Sequence, residues 1–149
     1  MACTHVGHDG IVGNQNIFAN AATLAGHVVV GDGCLIGGLV GVHQFVKIGS
    51  LACLGAGSMV TADIPPFCVA QGDRAGLVGI HTIGLERAGF SSEEVKGLKK
   101  LYRKIFLGAG IFLDRLEKSA TGEELGEHEK RLIEFIKKSE RGIALPRKS

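Results

Sequence analysis

The chain has 149 residues, 45% of them apolar, with a formal charge of +2 and four cysteines (Cys3, Cys34, Cys53, Cys68). That length bounds it to one domain or a small core with an appendage. The cysteines show neither CxxC pairing nor zinc-ligand spacing, so they read as free thiols rather than disulfides or metal ligands. No apolar run is long enough to span a bilayer, so a cytoplasmic protein without stable membrane insertion is expected, and nothing calls for a nucleic-acid partner.

From Val6 onward an apolar residue recurs every six positions: Val6, Val12, Phe18, Leu24, Val30, Ile36, Val42, Ile48, Leu54 and Val60. The residue after each is small, His43 and Thr61 excepted. This period fits neither a 3.6-residue helix nor a two-faced sheet. It fits a β-helix, in which short strands joined by tight turns wind round a core. With three six-residue faces per lap, residues eighteen apart lie above one another. Residues 6–23, 24–41 and 42–59 then form three laps, about the minimum for a stable repeat array.

The first lap has no legible cover. Oligomerisation would cover it, or the chain is the C-terminal part of something longer, which is the favoured expectation. Flat apolar sides on so short a solenoid also favour a homotrimer. The run Asp63-Ile64-Pro65-Pro66 is expected to end the winding, because proline lacks the donor a central strand needs. The expected division is 1–66 solenoid, 67–90 extended linker and 91–149 helical domain.

Ser91-Ser92-Glu93-Glu94 is a helix start, with a hydroxyl cap and acids in the first turn. The helix should run to about Leu107, with Val95, Leu98, Tyr102 and Ile105 as its apolar stripe. A second is predicted over 112–119 and a third over 123–139, with Leu132, Phe135 and Ile136 facing inward. From Pro146 the chain reads as frayed. Residues 91–149 carry fourteen Lys/Arg against ten Asp/Glu, whereas residues 1–90 carry three against five. A basic region suits an acidic partner, and a solvated helix face explains the charge equally well.

Five of the six histidines (His5, His8, His27, His43, His81) lie in the solenoid or its exit. The eighteen-residue offset stacks His8 under Gly26 and Gln44, and Asp9 under His27 and Phe45. Imidazoles therefore gather on one edge beside a glycine. Three readings follow. One His acts as a base towards a hydroxyl, oriented by Asp9 or Gln44, with the Gly26 N–H facing a developing oxyanion. Or imidazoles of adjacent subunits bind zinc. Or the histidines are turn residues satisfied by backbone carbonyls. Four histidines within 39 residues, on a repeat otherwise small and apolar, favour a site.

The segments His5-Val6-Gly7-His8-Asp9, Asn20 to His27 and Gly41-Val42-His43-Gln44-Phe45 resemble the acyl-ACP:UDP-N-acetylglucosamine O-acyltransferases of lipid A biosynthesis. The likeness continues through Pro65-Pro66, Ala70-Gln71-Gly72, Gly84-Leu85, Arg87, Gly89-Phe90 and Arg141-Gly142. It implies a mainly β protein: a left-handed parallel β-helix of hexapeptide repeats followed by a C-terminal α-helical domain, as a homotrimer. It implies transfer of a (3-hydroxy)acyl chain from acyl carrier protein to the 3-hydroxyl of UDP-N-acetylglucosamine, with no cofactor and no metal. By this resemblance His8 is the general base, Asp9 its neighbour in the site and Gly26 the backbone donor to the thioester carbonyl. His5, His27, His43, Gln44 and Gln71 match substrate contacts, and Arg87 matches a residue meeting the nucleotide phosphates, where a permanently charged bidentate group is apt. Lys96, Lys99, Lys100, Arg103 and Lys104 match the docking face for acyl carrier protein. Ala56 stands where the family often has the glycine that ends the acyl groove, which predicts a shorter acyl chain. The alternatives are an N-acyltransferase acting on the 3-O-acylated sugar nucleotide, a metal-dependent hydratase, or an inactive truncated fragment that only trimerises or binds carrier protein.

Overall fold

The computed structural model describes residues 1–121 and 125–147. Ten two-residue strands follow one another at six-residue spacing: β1 (His5–Val6), β2 (Ile11–Val12), β3 (Ile17–Phe18), β4 (Thr23–Leu24), β5 (Val29–Val30), β6 (Leu35–Ile36), β7 (Gly41–Val42), β8 (Lys47–Ile48), β9 (Cys53–Leu54) and β10 (Met59–Val60). They form three parallel faces: β1-β4-β7-β10, β2-β5-β8 and β3-β6-β9. Each strand pairs with the residue eighteen further on, as in Val6 with Leu24, Val12 with Val30 and Phe18 with Ile36. The protein is a left-handed parallel β-helix, against the usual right-handed crossover.

The hexad decides which residues face inward. Leu24, Val30, Ile36, Val42, Ile48, Leu54 and Val60 are buried, each stabilising the core by about 1.5–3 kcal/mol. Ile11, Ile17 and Leu35, each one residue before an inward position, point outward and stay exposed, whereas Val6 and Val12 hold inward positions and are exposed at the lower end, where no described lap stacks beneath them.

The small residue after each inward position serves close stacking rather than the bend itself. A Cβ on Gly7 would fall 2.6 Å from the Ala25 carbonyl carbon, and one on Gly49 2.4 Å from Pro66 N. The bend comes two residues later, where one residue per hexad takes the left-handed conformation: Cys3, Asp9, Gln15, Ala21, His27, Gly33, Leu39, Phe45, Leu51 and Gly57. The N–H of each of these from Ala21 onward donates to a carbonyl nineteen residues back, for example His27 to His8, Gly33 to Asn14 and Leu39 to Asn20. Those bonds stabilise a conformation that otherwise costs about 1–2 kcal/mol per non-glycine residue.

The winding passes through the prolines instead of ending there. Ile64 bridges Ile48, and β11 (Cys68–Gln71) stacks on β9 at a shortened offset. Ile64 N donates to Lys47 O and Phe67 N to Ser50 O, so the ladder does not need the N–H that prolines lack. Strand β12 (Gly76–Ile80) closes the face as an antiparallel partner of β11. Cys68 to Ala70 and Leu77 to Ile80 are extended as expected, but Phe67 takes a left-handed turn (φ 69°) and Thr82–Arg87 is a helix, α1, where the linker was read as extended.

Helix α2 (Ser92–Phe106) begins at Ser91 with a full capping box: Ser91 Oγ accepts from Glu94 N and Glu94 accepts from Ser91 N. Val95, Leu98, Leu101, Tyr102, Ile105 and Phe106 are buried. Helices α3 (Phe112–Thr121) and α4 (Glu127–Lys138) pack on it. The third predicted helix begins at Glu127, and the start proposed at Glu123 lies outside the described residues. Ile133 is buried with Leu132 and Ile136, whereas Phe135 is half-buried.

The C-terminal segment is not frayed at Pro146. Ile143 bridges Asp63, Pro146 bridges Leu77, and Arg147 N donates to Leu77 O. Buried Asp63 ties this segment down: one carboxylate oxygen accepts from Lys47 N at 2.8 Å, the other from Ser139 Oγ at 2.7 Å. This places the residues after α4 against the edge of the solenoid that carries His43.

Candidate active site

The corner between the face of β1-β4-β7 and that of β2-β5-β8 holds the turns His8-Asp9, Gly26-His27 and Gln44-Phe45, one per lap. The eighteen-residue ladder is realised: Asp9, His27 and Phe45 all occupy the left-handed turn position. The His27 ring stacks on Phe45 at 4.7 Å and meets His8 edge-on at 5.0 Å. Asp9 Oδ2 lies 3.0 Å from His8 Nδ1 and 3.7 Å from His27 Nε2.

This arrangement sets the tautomer of His8. The His8 hydrogen bond first, then the His27 charge, holds the Asp9 carboxyl below its ordinary value. An ionised carboxylate only accepts, so His8 Nδ1 donates and the lone pair of the neutral ring sits on Nε2. That nitrogen lies over Gly26: a Cβ there would fall 2.6 Å from it. Glycine at 26 is therefore what leaves room for the ring. Gly26 N–H donates to no backbone carbonyl among the described residues.

His5, His8, Gly26 and His43 line one groove of about 630 Å³, with Gly41, Met59 and Thr61 continuing it up the face. His43 is held from behind by Arg141. The guanidinium donates to His43 Nδ1 at 2.9 Å, to Gln44 O at 2.9 Å and to Thr61 O at 2.8 Å. Arginine cannot accept, so Nδ1 must, and the His43 proton sits on Nε2. The groove thus has one imidazole ready to take a proton and one presenting a donor. Sequence reasoning noted Arg141 only within a motif. Its partners are up to 98 residues away, beyond any eighteen-residue ladder, and an arginine before a glycine is no signal by itself.

The other predicted residues lie elsewhere. Ala56 is exposed at the next corner, Gln71 covers Gly55, and Arg87 ends α1; none lines this groove. Gln44 contributes its backbone carbonyl to Arg141. Lys96, Lys99, Lys100, Arg103 and Lys104 share α2, and Lys100 and Lys104 border a second cavity of about 660 Å³ with Arg115 and Lys118. His81 is a backbone-satisfied histidine, its Nδ1 3.2 Å from Leu51 O.

A solenoid of six-residue repeats is the architecture that names the bacterial hexapeptide transferases. A family model for "Bacterial transferase hexapeptide (six repeats)" matches residues 27–62. A second, for "Udp N-acetylglucosamine O-acyltransferase; Domain 2", matches residues 63–144, and the chain belongs to that family. It is 43% identical over 147 residues to the acyl-[acyl-carrier-protein]–UDP-N-acetylglucosamine O-acyltransferase of Burkholderia lata, covering 96% of this chain and 56% of that protein. Among solved structures it is similar to the UDP-N-acetylglucosamine acyltransferase from Campylobacter jejuni, with TM-score 0.87, 37% identity, and 94% and 54% of the two chains covered. The Arabidopsis UDP-N-acetylglucosamine acyltransferase matches with TM-score 0.88, 40% identity, and 92% and 51% coverage. The chain thus spans about half the length of the relatives it matches.

Proposed function

We propose that the chain carries the catalytic corner of an acyltransferase moving a (3-hydroxy)acyl group from acyl carrier protein to the 3-hydroxyl of UDP-N-acetylglucosamine. The observation that carries this reading is His8 Nε2 packed over Gly26, whose N–H donates to no backbone carbonyl among the described residues, with Asp9 Oδ2 3.0 Å from Nδ1 on the other side of the ring. His8 Nε2 takes the proton of the sugar hydroxyl as its oxygen attacks the thioester carbonyl. The developing oxyanion is met by the Gly26 N–H. As the tetrahedral centre collapses, the carbon–sulfur bond breaks and the proton passes from His8 to the leaving thiolate, giving ester and free thiol. His43 Nε2–H and His5 supply polar contacts along the same groove, and His27 holds Asp9 and His8 in place.

The relatives' names supply the donor and acceptor classes. Arg87 is assigned to the nucleotide phosphates and Gln71 and Gln44 to substrate contacts, outside this groove on one protomer. The basic flank of α2 suits the acidic carrier protein, where opposite charge accelerates encounter. Exposed Ile11, Ile17 and Leu35 on flat faces support a homotrimer, in which a neighbouring protomer completes the groove. No helix among the described residues is long and apolar enough to cross a membrane.

The test is transfer from acyl carrier protein thioesters to UDP-N-acetylglucosamine and to its 3-O-acylated amino-sugar counterpart, with the chain alone and joined to the preceding coils of a relative. Ester formation on the first acceptor, lost on His8→Ala, supports the reading. Amide formation on the second makes it an N-acyltransferase, and absence of both in the joined protein refutes it. Ala56→Gly should shift acceptance towards longer acyl chains; an unchanged chain-length profile removes Ala56 from the end of the acyl groove.

A further inference from the structure

The same corner carries a second kind of chemistry. His8, Asp9 and His27 each offer one ligand atom, and these atoms lie within 4.8 Å of one another, with His8 and Asp9 exposed and His27 half-buried. Zinc bonds to imidazole nitrogen and carboxylate oxygen at about 2.0–2.1 Å, so ligand atoms of a tetrahedral site stand about 3.3 Å apart. The two separations from Asp9 Oδ2, 3.0 Å to His8 Nδ1 and 3.7 Å to His27 Nε2, bracket that spacing, and the third lies within 4.8 Å. The ligand set is also organised in advance. Asp9 and His27 sit in identical left-handed turns one lap apart, locked by the His27 N–H to His8 O bond of 2.9 Å. Phe45 braces the His27 ring from the lap above.

We propose that this triad binds a divalent transition ion of the zinc type, with two imidazoles, one carboxylate and a water, and that this binding inhibits the corner. The consequence follows from proton bookkeeping on His8. A metal on Nδ1 takes the lone pair of that nitrogen. The neutral ring keeps one proton, which must then sit on Nε2. The lone pair over Gly26 disappears, and with it the only nitrogen of His8 that could accept a proton in the groove. Asp9 exchanges its hydrogen bond from His8 for the metal. Binding stands on geometry alone, whereas the inhibitory effect rests on the acyl-transfer reading.

The experiment uses metal-free protein and zinc alone. Calorimetric titration should give one ion per chain, and Asp9→Asn and His27→Gln should each weaken binding at least tenfold while melting as the parent does. Cobalt in place of zinc should give the intense visible bands of a tetrahedral site. Absence of binding, binding unchanged in both variants, or only the weak bands of an octahedral hydrated ion overturns the site. Saturating zinc should lower acyl transfer at least tenfold, with full return on adding chelator. If the triad binds zinc but the metal-free protein, joined to preceding coils, transfers nothing, the transfer reading fails and the metal site stands. If transfer proceeds and zinc binds the triad variants as it binds the parent, the metal inference alone fails.

Discussion

Two corners of the prism share one backbone and differ in what their polar side chains do. At the corner after β2 and β5, side chains are used up on the backbone: Asp32 Oδ1 accepts from Asn14 N at 2.7 Å, Ser50 Oγ from Asp32 N at 3.0 Å and Asn16 Oδ1 from Cys34 N at 2.7 Å. At the corner after β1 and β4, the side chains of His8, Asp9 and His27 contact one another, and among the described residues none of these side chains bonds to the backbone. The turn conformation is the same at both, with left-handed residues Gln15, Gly33 and Leu51 at one and Asp9, His27 and Phe45 at the other. The first corner staples laps together. The second leaves its acid–base groups unbonded to the backbone on the same turn frame, and that contrast is what makes the turn histidines a candidate site.

The largest predicted break of the contrast is His8→Ala. The ring is 66% exposed and packs little, so melting should stay within about 2 °C of the parent while transfer falls by about 10²–10⁴-fold. Retention of most transfer would remove His8 as the base. Next comes a pair of glycines. Gly26→Ala puts a Cβ 2.6 Å from His8 Nε2, displacing the base, so transfer should drop at least tenfold with modest change in stability. Gly33→Ala, at the stapling corner with φ +67° and a Leu51 methyl 2.7 Å away, should do the reverse: about 1–2 kcal/mol of stability lost, transfer per folded molecule unchanged. Equal effects of the two on transfer would mean the corners are not chemically distinct.

Much of this was legible before any coordinate, because a solenoid repeats its own instructions. Once the hexad at Val6, Val12 and Phe18 is recognised, an offset of eighteen places Asp9 under His27 and His8 under Gly26 without knowledge of the rest. Hand was not legible from the period, since both hands have the same spacing; it came with the family resemblance. The prolines misled because Pro65 and Pro66 fall where the ladder needs no donor. The helical region carries no such translation rule, so α1 was missed and the attachment of 143–147 to the solenoid was unforeseen. Arg141 illustrates the loss most sharply: its effect on His43 depends on how a distant segment docks, which amphipathic spacing does not encode.

Arg141→Met should therefore separate fold from site on a smaller scale. The fork that donates to Thr61 O and Gln44 O is lost together with the one to His43, so some stability falls, about 1–3 kcal/mol. The discriminating readout is the tautomer of His43 by imidazole nitrogen NMR. The parent should hold the proton on Nε2, and Arg141→Met should show a mixture, with transfer several-fold lower at constant folded fraction. Arg141→Lys, which keeps charge but not the fork, should recover part of the stability and little of the tautomer bias. An unchanged His43 tautomer in Arg141→Met would make Arg141 a structural clamp only.

The smallest effects sit on two carboxylates that are both held below their ordinary values for different reasons. Asp9 is lowered chiefly by His8 and then His27; Glu94 is lowered chiefly by the backbone and hydroxyl of Ser91, with His128 2.9 Å away adding to it. A depressed carboxylate contributes stability above its unfolded value and loses it as pH falls through the lower folded value. For Glu94 that stability belongs to the α2 cap, so Glu94→Gln should flatten the acid limb of the melting curve and leave the pH–rate profile of transfer where it was. Asp9 is two-thirds exposed, and its partners are the exposed His8 ring of the groove and the half-buried His27 ring beside it. Asp9→Asn should therefore leave acid melting nearly unchanged while moving the acidic limb of the pH–rate profile, since the amide no longer favours one His8 tautomer or stabilises the ring once it has taken the proton. Observation of the opposite pairing, with the cap moving the rate profile and the corner moving the melt, would show that charge at the corner serves the solenoid rather than the chemistry.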